Sequence, residues 1–469
     1  MRRAALLAIL LSSCGPAAPE GELLPRYAIL STIGPESPMY PSVAWLAKRR
    51  NAPVFRFQDP VKDRSALASW LKATHPGYVA VFMRPEEIDA NSHLALLEIA
   101  CGLDDDPFPD FAFGYFPAAS PALLRRQMQS LEGIEARVEK RLLNVTYANF
   151  GAPAPGSATQ RLEWATDLPL RILDGATGDP TFLKKNVTDL EQCDFLLLSG
   201  PGGPEGIAGF PAQALDGLKL DALIAFSAAD ATGAAGAVFE TAGGVLRRRT
   251  VPPDASFLLG LLRNGAPAVL APLQESHPAL VGSEWTHAIL AEAPLGEVLK
   301  HTYDQAILAS GGRPPSFARL VEGRPPAPSA GQSFFQAATR VLYGDPLLQV
   351  FNRKTIGPLR LAYSSGTTGP DGRRQWLQRY EVSAPDCGPF FADPFSGAQR
   401  IHLRIPLPPG ASRAPVILDP CTLAGNPVRA ELAAQALEEW RGLPYVHVLI
   451  RGTGLAQEGL EVPIRIPLE

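Results

Sequence analysis

The sequence predicts an α/β protein, with parallel-sheet subdomains carrying helices on both faces, followed by a C-terminal β-sandwich. Three observations lead there. First, three short apolar runs, Asp194–Leu198, Ala222–Phe226 and Ala266–Ala271, each pass into a loop of small or polar residues. Short apolar runs bounded by turn residues, with helical patterns between them, read as buried parallel strands. Second, Tyr27–Ile33, Val54–Phe57 and Tyr78–Met83 read as strands separated by helical stretches at Val43–Arg50 and Ser65–Ala73, a βαβαβ order. Third, from about Leu359 the pattern changes to alternation. Ile401, Leu403 and Ile405 fall out of phase with His402 and Arg404, and Val462, Ile464, Ile466 and Leu468 repeat the period of two. That is the pattern of half-buried antiparallel strands.

The 469 residues exceed one ordinary core, so several domains are expected. A formal net charge of −4 and a pI near 6.0 argue against nucleic acid as the main partner. Proline and glycine are plentiful but scattered among apolar runs, which marks a loop-rich globular chain and not a disordered one.

The chain opens with Arg2 and Arg3 and the apolar run Ala4–Leu11, too short to span a bilayer and suited to a signal peptide. Leu11-Ser12-Ser13-Cys14 looks like a bacterial lipobox, in which the cysteine thiol takes a diacylglycerol. The alternative is an ordinary cleaved signal peptide with Cys14 incidental. The expected limits are a signal peptide over 1–13, a tether over 14–26, α/β subdomains over 27–155 and 156–352, and a β-sandwich over 353–469. The expected location is the bacterial cell envelope, with the membrane reached through a lipid on Cys14.

Further elements follow in order. The acidic stretch Asp104–Asp110 leads into Phe111–Pro117, and Pro121–Leu143 reads as a long amphipathic helix. Asn149–Gln160, rich in Gly, Ala and Pro, marks the boundary between subdomains. Leu170–Leu173 reads as a strand, and Ser256–Leu262, Thr286–Ile307, Phe334–Val341 and Arg429–Trp440 as helices. Cys387 and Cys421 are the expected disulfide pair of an exported protein, with Cys101 and Cys193 as buried free thiols.

In an open α/β sheet the right-handed crossovers bring the three loops to one edge, where such sheets place their ligands. This edge carries the candidate site: Ser199, Gly200, Pro201 and Gly202 after the first strand; Ser227, Asp230, Thr232 and Gly233 after the second; Glu275 and His277 after the third. The glycine-rich loop lacks a P-loop lysine and the GxGxxG spacing, and no Cys/His cluster has zinc spacing. No cofactor is therefore expected, apart from Ca²⁺ on Asp104, Asp106 and Asp110. Against that cation, the run lacks the spacing of a dedicated calcium loop and reads more readily as a solvated turn.

The order of these pieces resembles the gingipain-type cysteine peptidases, a branch of the caspase-like fold, over roughly Tyr27 to the end. The residues that carry the resemblance are the acidic turn leading into Gly114-Tyr115-Phe116-Pro117, the helix-plus-strand Ser256–Ala271, and the ending Tyr343-Gly344-Asp345-Pro346. The resemblance implies two α/β subdomains and an immunoglobulin-like domain. It also implies a Cys–His dyad, with the histidine in a Gly-His-Gly after one strand and the cysteine in the loop after the next.

Here Gly200-Pro201-Gly202 stands at the first position and Ala229-Asp230-Ala231-Thr232-Gly233 at the second. Proline cannot accept a proton, and a carboxylate is a poor nucleophile toward an amide. The nearby Cys193 precedes its strand, and His277 and His287 follow the third strand, so a simple shift does not restore the dyad. The resulting expectation is an inactive pseudopeptidase that binds a polypeptide or an envelope protein. Two alternatives stay open: an enzyme, through a misplaced dyad or a Ser–His–Asp site drawn from Ser199 or Ser227, His277 and Asp230, and a structural module with a filled cleft.

Overall fold

In a computed structural model of the protein, the residues described are 26–138, 145–149, 170–174, 185–220, 224–242, 245–275, 293–310, 330–349, 359–383, 398–411, 415–440 and 442–468, with single positions at 280, 281, 283, 284, 287, 288 and 391. They fall into two compact units, Pro25–Arg353 and Lys354–Glu469.

The first unit is built on one ten-stranded sheet in the order β2-β1-β3-β4-β15-β14-β11-β7-β5-β6. One half holds β1 (Tyr27–Ser31), β2 (Val54–Arg56), β3 (Tyr78–Met83) and β4 (Ala112–Pro117), all parallel. The short β15 (Arg340–Tyr343) runs parallel to β4 and joins this half. The other half holds β5 (Val145–Asn149), β6 (Leu170–Asp174), β7 (Phe195–Ser199), β11 (Ile224–Ser227) and β14 (Ala268–Pro272), again mutually parallel. The halves meet at β14–β15, the antiparallel pair in this sheet.

The central strands are apolar throughout because both faces are covered. All six residues of β3 and of β4 are buried, and Phe82 stacks on Phe116 with ring centroids 4.8 Å apart. Each of the large apolar side chains among them, such as Phe82, Met83 and Phe116, contributes roughly 1.5–3 kcal/mol by leaving water. The covering helices include α1 (Tyr40–Arg50), α2 (Arg64–Thr74), α3 (Ala90–Ala100) and α4 (Pro121–Val138). Helix α3 had no counterpart among the expected elements. It is buried almost all round and shows no amphipathic stripe, although Asp89 caps it by accepting from the Ser92 N–H at 3.0 Å.

Later helices are α5 (Val187–Glu191), α6 (Phe257–Arg263), α7 (Leu295–Ala309) and α8 (Ala330–Ala338). The boundaries of two differ from expectation. Helix α7 begins at Leu295, after Pro294, and Thr286, where the helical stretch was expected to open, lies outside the described residues. Helix α8 stops at Ala338, where the Thr339 hydroxyl bonds back to Phe335 O, and the following Arg340–Tyr343 is strand β15 instead of helix.

Three small strands, β8 (Gly202–Gly203), β9 (Gly206–Ile207) and β10 (Phe210–Pro211), follow β7, and a hairpin of β12 (Ala237–Ala242) and β13 (Val245–Thr250) follows β11. Neither was foreseen.

The second unit contains two antiparallel sheets. One holds β16 (Leu359–Thr368), β17 (Arg374–Val382), β24 (Leu460–Pro467) and the short β19 (Ile417–Leu418), β20 (Thr422–Leu423) and β21 (Asn426–Pro427). The other is β18 (Gln399–Pro406), β23 (Leu443–Gly452) and β22 (Ala430–Trp440). The alternation is real: Val462, Ile464 and Ile466 are buried and their neighbours half-exposed.

The helix expected over Arg429–Trp440 is a strand. Its Ala, Leu and Glu residues are strong helix formers, but ten of its residues pair with β23 along the whole strand, and tertiary pairing overrides local propensity. Cys421 carries a free, buried thiol where a disulfide was expected, and Cys387 lies outside the described residues. Cys101 and Cys193 are free thiols, as anticipated, Cys193 buried and Cys101 half-buried.

Candidate functional site

Because β7, β11 and β14 are parallel neighbours, the loops that follow them open on one edge, as the sequence implied. Ser199 ends β7, half-buried, and Pro201 and Gly202 are exposed just beyond it. The loop after β11 turns tightly. Ala231 takes a left-handed conformation (φ 50°), and its N–H donates to Gln274 O at 2.8 Å, tying this loop to the one after β14. A left-handed alanine costs about 1–2 kcal/mol, so the turn is held by its surroundings. Asp230, just before it, is exposed, as is Glu275 on the neighbouring loop.

The first and second loops touch. A Cβ placed on Gly202 would lie 2.6 Å from Ala229 Cβ and 3.1 Å from Asp230 N, so only glycine lets the chains approach this closely. The two loops that carry the positions of base and nucleophile in the family resemblance therefore meet at Gly202, and neither Pro201 nor Asp230 has a thiol or an imidazole.

Ser227 is 1% exposed and its hydroxyl is committed. The Thr232 hydroxyl donates to Ala229 O at 2.8 Å, so the Ser227 hydroxyl, 2.8 Å from Thr232 Oγ1, donates to Thr232 and accepts from the Ala229 N–H at 3.2 Å. This is a turn-closing serine with no general base on its proton. Thr232 and Gly233, expected to line a cleft, are buried structural residues. Gly233 N donates to Pro272 O, and the Tyr343 hydroxyl donates to Gly233 O at 2.6 Å. His277, the expected base of a serine site, lies outside the described residues.

The thiols sit in the wrong environments for nucleophiles. Cys193 precedes β7, on the edge opposite the loops, and burial pushes its thiol up to about 12. Burial raises Cys101 well above the ordinary range, and the nearby Asp304 carboxylate adds to the shift. A reactive cysteine needs the opposite shift.

Beneath the loops lies a polar layer that the sequence did not disclose. Arg340 and Glu284 form a fully buried ion pair, and Arg340 Nη1 also donates to Ser227 O at 3.0 Å. Tyr303 donates to Arg340 O at 2.7 Å and lies 3.3 Å from His93 Nε2, while His93 Nδ1 lies 3.1 Å from the Tyr115 hydroxyl. Burial holds the His93 imidazole neutral, with its pKa down at about 3. In the second unit Glu438 accepts from Arg404 Nε at 2.6 Å and pairs with His447 Nε2 at 2.7 Å, and His447 Nδ1 lies 3.0 Å from His402 Nε2. This chain holds carboxylate and imidazole but no nucleophile. Its members are spread over β18, β22 and β23, a placement with no short motif to betray it.

The Asp104–Asp110 run is a turn whose carboxylates serve the backbone. Asp104 accepts from Asp106 N and Asp106 from Phe108 N, both at 2.8 Å. Burial, then the neighbouring Asp104 and Asp106, raise Asp110 to about 8, and Asp110 shares a hydrogen bond with Asp104. At neutral pH Asp110 therefore keeps its proton, which Ca²⁺ would have to displace.

No family model matches the chain, and no curated protein matches it. Among solved structures, one described as "Structure of Protease" aligns over 95% of this chain and 98% of its own at 10% identity, with a TM-score of 0.46. A sugar-binding protein of a sugar ABC transporter from Bacillus halodurans aligns over 52% of this chain and 80% of its own, at 10% identity and a TM-score of 0.16. A carbohydrate transporter from Acidothermus cellulolyticus 11B, in complex with myo-inositol, aligns over 51% and 84%, at 11% identity and a TM-score of 0.15. Likenesses at this level carry no argument about chemistry.

Proposed function

We propose that the protein is a catalytically inactive relative of the gingipain-type peptidases, acting as a binding module for a polypeptide or an envelope protein. In this reading the first unit is the caspase-like body, the two C-terminal sheets form the immunoglobulin-like sandwich, and Cys14 carries a lipid that holds the protein at a bacterial membrane. The observation that supports it best is the contact of Gly202 with Ala229 and Asp230: the two loops that resemble the dyad loops meet without a thiol, an imidazole or a gap between them.

The test is peptide hydrolysis by the purified protein. The reading expects no cleavage above a denatured control. Cleavage abolished by Asp230→Ala or by Ser199→Ala would replace it with a hydrolase. The anchor has its own test, mass spectrometry of the N-terminal peptide from membranes, in which Cys14 is expected to carry a diacylglycerol.

A further inference from the structure

We propose that residues 201–211 form a strap closed over the loop edge at β7 and β11, held shut by a latch between Glu205 on the strap and Arg249 on the β12–β13 hairpin. The latch joins two separate loops. Arg249 lies against Glu205 through two nitrogens, with Nη2 3.2 Å from Oε2, and its Nε donates to Glu240 Oε1 at 2.7 Å within the hairpin. The hairpin in turn is fastened elsewhere, by Arg248 Nε to Asp89 Oδ2 at 2.8 Å. Arg249 therefore pins the strap to a fixed support.

The strap has the build of a separable piece. Ala208 N donates to Pro201 O within it, Ala212 N just beyond it donates to Glu205 O, and Phe257 N of α6 donates to Pro204 O at 2.9 Å. Left-handed backbone at Ala208 and Gly209 turns the chain within it. Underneath, Ile207 and Phe210 face a small, wholly apolar cavity, also lined by Leu198, Leu215, Phe257 and Leu261. Imperfect packing there lowers the cost of lifting the strap, since side chains beside a void give up fewer contacts. At its near end Gly202 covers Ala229, which is completely buried although it lies in a loop. Release of the strap uncovers Ala229 and the backbone of Asp230. Access to the edge is then controlled by the strap, a consequence that rests on the reading of that edge as the ligand-facing one, whereas the movement itself does not.

Amide hydrogen exchange on the full chain reads the movement without a ligand. Glu205→Ala removes the latch, and Gly202→Ala wedges the strap with a Cβ that meets Ala229. In both variants the amides of Ala208 and Ala212 are expected to exchange faster, by roughly 2- to 5-fold for the latch, the range of one exposed ion pair. The amides of Leu197 in β7 and Phe226 in β11 are expected to keep their wild-type rates. Unchanged strap exchange in either variant, or acceleration shared equally by Leu197 and Phe226, overturns the strap. Neither result bears on hydrolysis, so failure here is distinct from failure of the functional reading.

Discussion

Arg340 and Glu284 meet as a two-pronged ion pair with neither side chain exposed: Nη2 lies 2.6 Å from Oε2, and Nε donates to Oε1. Through Nη1 the same guanidinium holds the carbonyl of Ser227, so the pair supports the loop after β11 from below. Removing one partner strands a buried charge. Glu284→Ala is expected to destabilise the first unit by about 3–5 kcal/mol in urea denaturation, and the double change Glu284→Leu with Arg340→Met by clearly less. Equal losses would mean that the pair does not act as a unit.

His93 predicts an acid-sensitive core. Its pKa falls from 6.5 to about 3 on folding because the imidazole is buried. Between those values the unfolded chain binds a proton that the folded one refuses. Its contribution is therefore whole above pH 6.5 and lost as pH falls, at up to about 1.4 kcal/mol per pH unit. His93→Gln should show a shallower acid limb than the wild type when unfolding free energy is followed from pH 7 to pH 4.

Asp110 predicts the opposite slope. Its pKa rises from 3.8 to about 8 on folding, through burial and the adjacent Asp104 and Asp106. The folded state holds the extra proton, so the stabilisation is full below about pH 4 and is lost as pH rises toward 8. Relative to wild type, Asp110→Asn should be more stable at pH 8 than at pH 4 by about 1–3 kcal/mol. A difference that does not change with pH would show that Asp110 is already ionised in the folded protein.

Much of the scaffold was legible because its strands are apolar on both faces and short. Tyr78–Met83 and the run ending at Ser227 stand out between polar turns, and their parallel order follows from the helices between them. What escaped was decided by strand pairing, which local residue type does not encode. Ala430–Trp440 is written in helix formers yet follows its neighbour β23, and Arg340–Tyr343 is too short to be told from the end of a helix. At the site, the sequence showed Pro201 and Asp230 where the resemblance expects a histidine and a cysteine. It did not disclose that Gly202 rests on Ala229, or that the Ser227 hydroxyl is spent on Thr232. Those are distances, and no residue spacing encodes them. The Glu284–Arg340 pair, 56 residues apart, is hidden for the same reason.

The central proposal is that the loops after β7 and β11 carry no catalytic group. It is tested most directly by labelling the folded, purified protein in parallel with a thiol-directed and a serine-directed hydrolase probe, followed by mapping of any modified residue. Burial raises the Cys101 thiol and keeps Cys193 and Cys421 at about 12 and about 11, so at these three cysteines the thiol probe should react only after denaturation. The serine probe should leave Ser199 and Ser227 unmodified. Modification of either serine, or of a cysteine in the folded state with loss of peptide cleavage, would contradict the account.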